Sequence, residues 1–93
     1  MDLNGRTARR GNLDLLLSPR EHDLLEVLLR EQGRVFRKSQ LFTRIWGPSP
    51  EIGQETVDRF VSLLRQKMEY GGLSRLVHTV RGVGYVLRSG SPS

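Results

Sequence analysis

The 93-residue sequence predicts an α+β fold, with three helices placed between a short N-terminal antiparallel sheet and a C-terminal β-hairpin. Three observations predict this class. Apolar residues recur with helical spacing in three segments of the middle of the chain. A glycine–asparagine turn signal divides short apolar runs near the N-terminus. Near the C-terminus, two glycines spaced two residues apart interrupt a run rich in β-branched and aromatic residues.

The N-terminal segment, residues 1–17, mixes glycines with short apolar runs, so we predict short antiparallel strands that turn at Gly11-Asn12. A helix should follow. Ser18 can cap it, Pro19 suits its first position, and Glu21 completes a capping box. Gly33 should end this helix. Its buried stripe is predicted to contain Leu24, Leu25, Val27, Leu28 and Leu29.

A second helix is predicted from about Lys38 to Trp46, after a short extended Val35-Phe36. The following stretch, 47–54, should be a loop because it is rich in glycine and proline, which break helices. The predicted apolar face of this helix comprises Leu41, Phe42, Ile45 and Trp46.

The third helix should run from about Glu55 to Glu69 and end at Gly71-Gly72. Strands at 75–80 and 84–88 then form the hairpin. We therefore interpret residues 1–93 as one domain, divided into N-terminal strands (1–17), a three-helix core (18–72), the hairpin (75–88) and a flexible tail (89–93).

Composition narrows the function classes. The chain has no cysteine, which excludes disulfides, cysteine-containing zinc sites and thiol catalysis. Its net charge is +5, which favours an anionic partner such as nucleic acid. Residues 1–33 carry five basic and six acidic side chains, whereas residues 34–93 carry ten basic and four acidic ones. The excess positive charge therefore lies with the second helix, the third helix and the hairpin.

No catalytic, metal or membrane signature is present in the sequence. His22 and His78 stand far apart without cysteine neighbours, so we predict no metal site, no cofactor and no enzyme activity. The glycines at 82 and 84 lie between two strands, which argues against a dinucleotide site. No run of 18 apolar residues exists, and no signal peptide precedes the domain, so we expect a cytoplasmic protein with no membrane association.

The third helix should have two unlike faces. At about 100° per residue, Val57, Val61, Leu64 and Met68 fall on the side that must be buried. Arg59, Ser62, Leu63 and Gln66 fall opposite, with Thr56, Phe60 and Lys67 on one flank and Asp58 and Arg65 on the other. Such a face is ordinarily only a solvated surface. Here a basic run precedes the helix and a hairpin with Arg81 at its tip follows, which favours insertion into a DNA major groove.

The motifs together resemble the effector domain of OmpR/PhoB-type response regulators, a winged helix-turn-helix, over about Leu15 to Leu87. Several short motifs carry the resemblance, in this order: Leu17-Ser18-Pro19-Arg20-Glu21, Gly33-Arg34-Val35, Gln40-Leu41, Ile45-Trp46-Gly47, Thr56-Val57-Asp58, Leu64-Arg65-Gln66-Lys67 and Thr79-Val80-Arg81-Gly82-Val83-Gly84-Tyr85. Their order and separations make this resemblance specific.

The resemblance implies sequence-specific double-stranded DNA binding for transcription regulation in a two-component phosphorelay. It places helix 54–69 in the major groove and Arg81 of the wing in the minor groove. It also implies that a loop contacts RNA polymerase, namely Gly47, Pro48, Ser49, Pro50, Glu51, Ile52 and Gly53. The predicted DNA contacts are Arg37, Lys38, Trp46, Thr56, Arg59, Phe60, Ser62, Leu63, Arg65, Gln66, Lys67, His78, Thr79, Arg81 and Gly82.

Three positions depart from the family pattern. Phe60 stands where the family often has a polar residue, Leu63 where it frequently has arginine, and Arg37 where a Ser or Thr cap is usual. These departures leave an alternative open, a winged-helix protein-interaction module that uses the Phe60/Leu63 surface. Trp46 could pack at the helix end or meet a phosphate.

The expected partners follow from the same resemblance. The apolar stripes are used by one core and no heptad run exists, so we expect the isolated domain to be monomeric and to bind direct-repeat DNA sites as two copies. The family's receiver domain has no counterpart in these residues. We expect it in a longer chain, or else the chain is a stand-alone regulator.

Overall fold

A computed structural model describes residues 2–4, 7–48 and 53–89. Within them are three helices and two three-stranded antiparallel sheets, one formed in order by Asp2–Asn4, Thr7–Arg10 and Leu13–Leu15 and the other by Phe36–Arg37, Gly84–Leu87 and Val77–Val80. The predicted α+β winged-helix class is therefore confirmed. The elements in chain order are β1 (Asp2–Asn4), β2 (Thr7–Arg10), β3 (Leu13–Leu15), α1 (Pro19–Arg30), β4 (Phe36–Arg37), α2 (Lys38–Trp46), α3 (Glu55–Met68), β5 (Val77–Val80) and β6 (Gly84–Leu87). Residues 90–93 of the predicted tail lie outside the described ranges.

The N-terminal sheet and α1 form as the turn and capping signals predict. Gly11 adopts a φ of 61° between β2 and β3, a conformation that glycine reaches without strain. The backbone N–H of Ser18 donates to Glu21 Oε1 at 2.9 Å, and the N–H of Glu21 donates back to Ser18 Oγ. This reciprocal pair satisfies two amides that the first turn of the helix leaves open. The helix itself ends at Arg30, so Gly33 lies in the turn beyond it.

Helix α2 begins at Lys38, as predicted, although the side chain of its N-cap Arg37 has no acceptor atom for the N–H groups of the first turn. The side chain of Gln40 instead closes back on the chain, since its Oε1 accepts the backbone N–H of Arg37 at 2.9 Å. The helix therefore keeps one half of a capping box without a Ser or Thr at the cap. Its predicted apolar face is correct, with Leu41, Phe42 and Ile45 buried.

Helix α3 lies across the core with the rotation that its sequence predicts. Its buried residues are Val57, Val61, Leu64 and Met68, each at most 1% exposed. They pack with the leucines of α1 and with Phe36 and Leu41 in one cluster. The helix ends one residue before the predicted boundary, and Gly71 and Gly72 then reverse the chain with positive φ angles. The opposite face of α3 is consequently left outside the core.

The C-terminal sheet contains a third strand that the sequence did not predict. Strand β4 pairs with β6, with Phe36 opposite Tyr85 and Arg37 opposite Gly84. The two hairpin glycines also differ in role. Only Gly82 has a positive φ, of 78°, so it alone makes the turn. A Cβ at Gly84 would collide with the carbonyl oxygen of Phe36, so Gly84 is required for the close approach of β4 and β6.

A single carboxylate joins α2, α3 and the hairpin. The hydroxyl of Tyr85 donates to Asp58 Oδ1, and Lys38 Nζ donates to Asp58 Oδ2 at 3.0 Å. Burial by itself favours the protonated form of Asp58. The hydrogen bonds from Tyr85 and Lys38, together with the Lys38 charge, outweigh this, so the pKa of Asp58 is lowered. For Tyr85, burial and then the contact with Asp58 raise the pKa to about 12.

The burial of α3 predicts a sharp contrast between adjacent positions. Val61→Asp places a carboxylate in the core without a partner, so we expect a loss of at least about 4 kcal/mol of unfolding free energy. Ser62→Asp adds the same group on the exposed face and should change stability by less than about 0.5 kcal/mol. Urea denaturation measures both. Similar losses at the two positions would show that the helix is rotated from the orientation described here.

The Asp58–Tyr85 contact predicts a specific loss of stability at high pH. The folded pKa of Tyr85, about 12, lies above the unfolded value of about 10. The neutral hydroxyl therefore contributes stability that is fully present below pH 10 and disappears as pH rises through 12. Tyr85→Phe should be less stable than the wild type at pH 8, and this difference should shrink by pH 11. Asp58 acts at the acidic end instead, because its pKa is lowered in the folded protein. Its contribution to stability is present above the ordinary pKa of an aspartate and is lost as pH falls through the lowered pKa.

The exposed Tyr70 provides the matched control, because Tyr70→Phe removes the same hydroxyl from a side chain that is 73% exposed. Unfolding free energies of the three proteins should be measured by urea titration from pH 8 to pH 11. If wild type and Tyr85→Phe differ by the same amount throughout this range, the hydroxyl does not stabilise the fold through Asp58.

Candidate nucleic-acid interface

The outward face of α3 presents polar side chains to solvent. Arg59, Ser62 and Gln66 are exposed, and Leu63 between them is half-buried. Within the described part of the chain, the side chains of Arg59 and Gln66 form neither an ion pair nor a hydrogen bond. An arginine and a glutamine on one helix face can each make paired hydrogen bonds to a flat polar edge. This surface therefore has the groups needed to recognise bases.

Arg65, in contrast, is used within the protein. Its Nε donates to the carbonyl oxygen of Val77 at 2.9 Å, and its NH2 donates to Thr79 Oγ1 at 2.7 Å. The guanidinium also lies 5.4 Å from the ring centre of Tyr85. Burial, and secondly the charge of Arg75, lower the pKa of Arg65. Arg65 and Thr79, both predicted DNA contacts, thus bind each other and hold β5 against α3.

Lys67 is also engaged in an internal contact. Its Nζ donates to Glu21 Oε1 at 2.6 Å and to the carbonyl oxygen of Leu16 at 2.7 Å. Glu21 is only 3% exposed, so the lysine neutralises a buried carboxylate whose other hydrogen bond comes from the uncharged backbone N–H of Ser18. Lys67 therefore secures α3 to the start of α1.

The two aromatic residues among the predicted contacts pack against each other. The ring of Phe60 meets Trp46 edge-on, with centroids 5.1 Å apart, and Trp46 stacks on Phe42 at 5.8 Å. Both Phe60 and Trp46 are half-buried and contact the core. This contact supports the packing interpretation of Trp46 and gives Phe60 the same function at the junction of α2 and α3.

A cleft of about 450 Å³ opens between the start of α2, the start of α3 and the hairpin. Arg37 reaches it from one side and Arg81 from the other, and both are exposed. Gln54 and Gly82 also contribute to its walls, with Lys38, Ser39, Thr79, Val80, Val83, Gly84 and Tyr85. Two cations thus face one cleft at the edge of α3.

His78 and the loop between α2 and α3 are the remaining parts of the predicted site. His78 is half-buried, and its Nε2 atom is buried without a hydrogen-bond partner in the described structure. In the loop between α2 and α3, Gly47, Pro48 and Gly53 are described. The remaining predicted polymerase contacts, at positions 49–52, lie outside the described residues.

Unpaired positive charge is concentrated at α3 and the hairpin. In the described ranges, the exposed arginines without an ion pair or side-chain hydrogen bond are Arg37, Arg59, Arg81 and Arg88. On the other surfaces, arginines have carboxylate partners: Arg20 pairs with Asp23, Arg30 with Glu26, and Arg34 and Arg44 share Glu31. The hydrogen bonds of these last two arginines lower the pKa of Glu31. An anion would therefore be attracted to the face that carries α3 and the hairpin tip.

The exposed positions on α3 and at Arg81 agree with those expected from the sequence, whereas the sequence did not place Gln54 beside the cleft. A periodic pattern places residues on helix faces, but it does not show which cations find internal partners. No group of three potential metal ligands occurs among the described residues, and no helix described here is long and apolar enough to cross a membrane.

The protein-family comparison matches residues 12–87 to the family described as "Transcriptional regulatory protein, C terminal". The transcriptional regulatory protein PrrA of Mycobacterium tuberculosis is 46% identical over 88 residues, which cover 95% of this chain and 38% of PrrA. The chain therefore spans well under half the length of this curated relative.

Solved structures show the same fold. The DNA-binding domain of the response regulator AdeR, in complex with an intercistronic region, superimposes with a TM-score of 0.81 at 27% identity, over 92% of this chain and 88% of that one. The RstA DNA-binding domain of Klebsiella pneumoniae, in complex with the RstA box, gives 0.74 at 25% identity over 88% and 82%. The resemblance read from the motifs is confirmed: this chain belongs to the family of C-terminal domains of transcriptional regulatory proteins, the winged-helix effector domains of OmpR/PhoB-type response regulators.

Proposed function

We propose that this domain binds double-stranded DNA sequence-specifically to regulate transcription, as the effector domain of a two-component response regulator. One observation carries the proposal. Arg59 of α3 and Arg81 of the hairpin tip are exposed and have no internal partner in the described structure, and internal contacts from Asp58, Arg65 and Tyr85 hold the two elements together. The family and the DNA complexes of AdeR and RstA support the same conclusion.

Helix α3 is the element that we place in the major groove, which admits an α-helix. Arg59 would pair with the O6 and N7 atoms of guanine, and Gln66 with the N6 and N7 atoms of adenine. Ser62 is short enough to bond either a base or a phosphate. Because the core holds the opposite side of α3, these side chains would enter the groove from a fixed helix orientation.

The hairpin tip is the element that we place in the adjacent minor groove. Arg81 is exposed at the tip, next to the turn at Gly82, and carries an uncompensated charge. Narrow A·T-rich minor grooves have an enhanced negative potential that attracts arginine. Across the cleft, Arg37 is positioned to neutralise the phosphates between the two grooves.

The internal contacts divide the predicted site residues into two groups. Direct DNA contacts are proposed for Arg37, Thr56, Arg59, Ser62, Leu63, Gln66, Arg81 and Gly82. A positioning role is proposed for Lys38, Trp46, Phe60, Arg65, Lys67, His78 and Thr79. The positive residues of the second group have internal partners, and breaking those contacts to reach DNA would cost free energy.

The alternative of a protein-interaction module has little support. It requires an apolar surface formed by Phe60 and Leu63, but the ring of Phe60 packs against Trp46. Leu63 remains, and one half-buried leucine among polar neighbours is far smaller than the apolar patches that mark protein interfaces. The free arginines beside it favour DNA.

Several properties of the longer protein are also proposed. The length of the relatives supports a receiver domain and phosphorelay control, and a cytoplasmic location fits that function. We propose that the isolated domain is monomeric, that two copies bind direct repeats, and that the 47–53 loop contacts RNA polymerase. We propose no enzyme activity and no metal or cofactor.

The salt dependence of binding tests the proposed function. Two substitutions test the surface of α3 that we place against the bases, called the reading face (Arg59, Ser62, Leu63 and Gln66). A duplex selected from a random pool should bind wild-type protein less tightly as salt rises, because phosphate contacts release counterions. Arg59→Ala and Gln66→Ala should each lose roughly 1–3 kcal/mol of binding free energy on that duplex and keep their melting temperatures. Arg30→Ala, on the opposite helix α1, is the control and should bind normally. Binding that is indifferent to salt and to sequence would contradict the proposal.

The hairpin makes a separate prediction. Arg81→Ala should cost roughly 1–3 kcal/mol of binding free energy and weaken the preference for A·T pairs beside the major-groove site. Arg88→Ala removes the same charge from the base of the hairpin and should leave that preference intact. Titrations against duplexes with A·T or G·C pairs at the wing position measure both effects. If wild type and Arg81→Ala show equal A·T preference, Arg81 does not contact the minor groove.

A further inference from the structure

We propose that Leu63 reads the 5-methyl group of one thymine in the major groove, and so sets a base preference of this domain. This inference rests on the proposed DNA binding by α3 and names a further specificity-determining residue within it. Its basis is the position of Leu63 in α3, a helix that the structure describes in full.

Leu63 is not part of the core. The buried side chains of α3 are Val57, Val61, Leu64 and Met68, and the half-buried residue that packs against them from this helix is Phe60. Leu63 lies on the other side of the helix. It remains half-buried without contributing to the core cluster. Folding therefore does not explain a large aliphatic side chain at this position.

The neighbours of Leu63 place it on the side of α3 that carries Arg59, Ser62 and Gln66. Arg59 precedes it by four residues and Gln66 follows it by three, so the three side chains are adjacent on one helix face. Ser62 beside it is exposed, and Phe60 is held by Trp46. A helix that presents Arg59 and Gln66 to base edges must bring Leu63 to the floor of the same groove.

The chemistry of the major groove leaves one suitable partner for a leucine. Each base pair shows hydrogen-bond donors and acceptors there, and thymine alone adds a methyl group. A leucine cannot satisfy a base donor or acceptor, so contact with another base would leave polar atoms dehydrated and unpaired. Contact with the thymine methyl removes apolar surface of both partners from water. Burying one methyl-sized group corresponds to about fourfold in affinity.

Deoxyuridine gives a direct test, since it differs from thymine only by lacking this methyl group and pairs normally with adenine. A duplex selected by the wild-type protein is prepared with each thymine replaced singly by deoxyuridine. We expect one replacement to weaken wild-type binding by about fourfold. Leu63→Ala should bind the thymine and deoxyuridine duplexes equally. The minor-groove contact of Arg81 should be unaffected, because the methyl group projects into the other groove.

Two control variants make the outcome decisive. Arg30→Ala changes a residue of α1 outside the proposed interface and should keep the thymine preference. Leu63→Met retains an apolar side chain of similar size and should keep it as well. Leu63 lies outside the core cluster, so we expect Leu63→Ala to fold, and its melting temperature checks this. If no thymine shows a methyl effect that depends on position 63, the inference is wrong while DNA binding stands. If wild-type protein shows no salt-dependent duplex binding at all, the proposed function fails instead.

Discussion

The carboxylate of Asp58 is the contact on which the arrangement of the candidate site depends. It receives the hydroxyl of Tyr85 from the hairpin and the ammonium of Lys38 from α2. About two turns further along α3, Arg65 adds two hydrogen bonds to β5. These contacts hold the hairpin against α3 at two separate positions along the helix axis. Two elements that must enter neighbouring DNA grooves therefore move as one body, and binding need not order them relative to each other.

This arrangement separates the positive side chains by function. Lys38, Arg65 and Lys67 satisfy acceptors inside the fold, whereas Arg37, Arg59 and Arg81 have no internal partner in the described structure. An ion pair that is partly buried is costly to break, and an exposed cation is free to replace water with phosphate or base. Net charge alone, +5, does not reveal this separation.

Local signals in the sequence were sufficient for the helices and for the two faces of α3. The capping box at Ser18 and Glu21 fixed the start of α1, and the spacing of Val57, Val61 and Leu64 fixed the rotation of α3. Contacts distant in sequence left no such signal. The pairing of β4 with β6, the close approach at Gly84 and the partners of Arg65 and Lys67 arise only when the chain is folded. The predicted exposed face of α3 therefore agrees with the structure in position, and the predicted site residues include some that the fold already uses.

Methylation footprinting tests the central claim most directly, because dimethyl sulfate modifies guanine N7 in the major groove and adenine N3 in the minor groove. On a duplex selected by the wild-type domain, we predict protection of guanine N7 at the α3 site and of adenine N3 about 5 base pairs away, half a helical turn along the DNA. Tyr85→Phe removes the hydrogen bond to Asp58, so it should weaken the protection of adenine N3 more than the protection of guanine N7. Protection in one groove only, or at unrelated distances in different selected sites, would contradict a helix and hairpin held as one rigid DNA-reading unit.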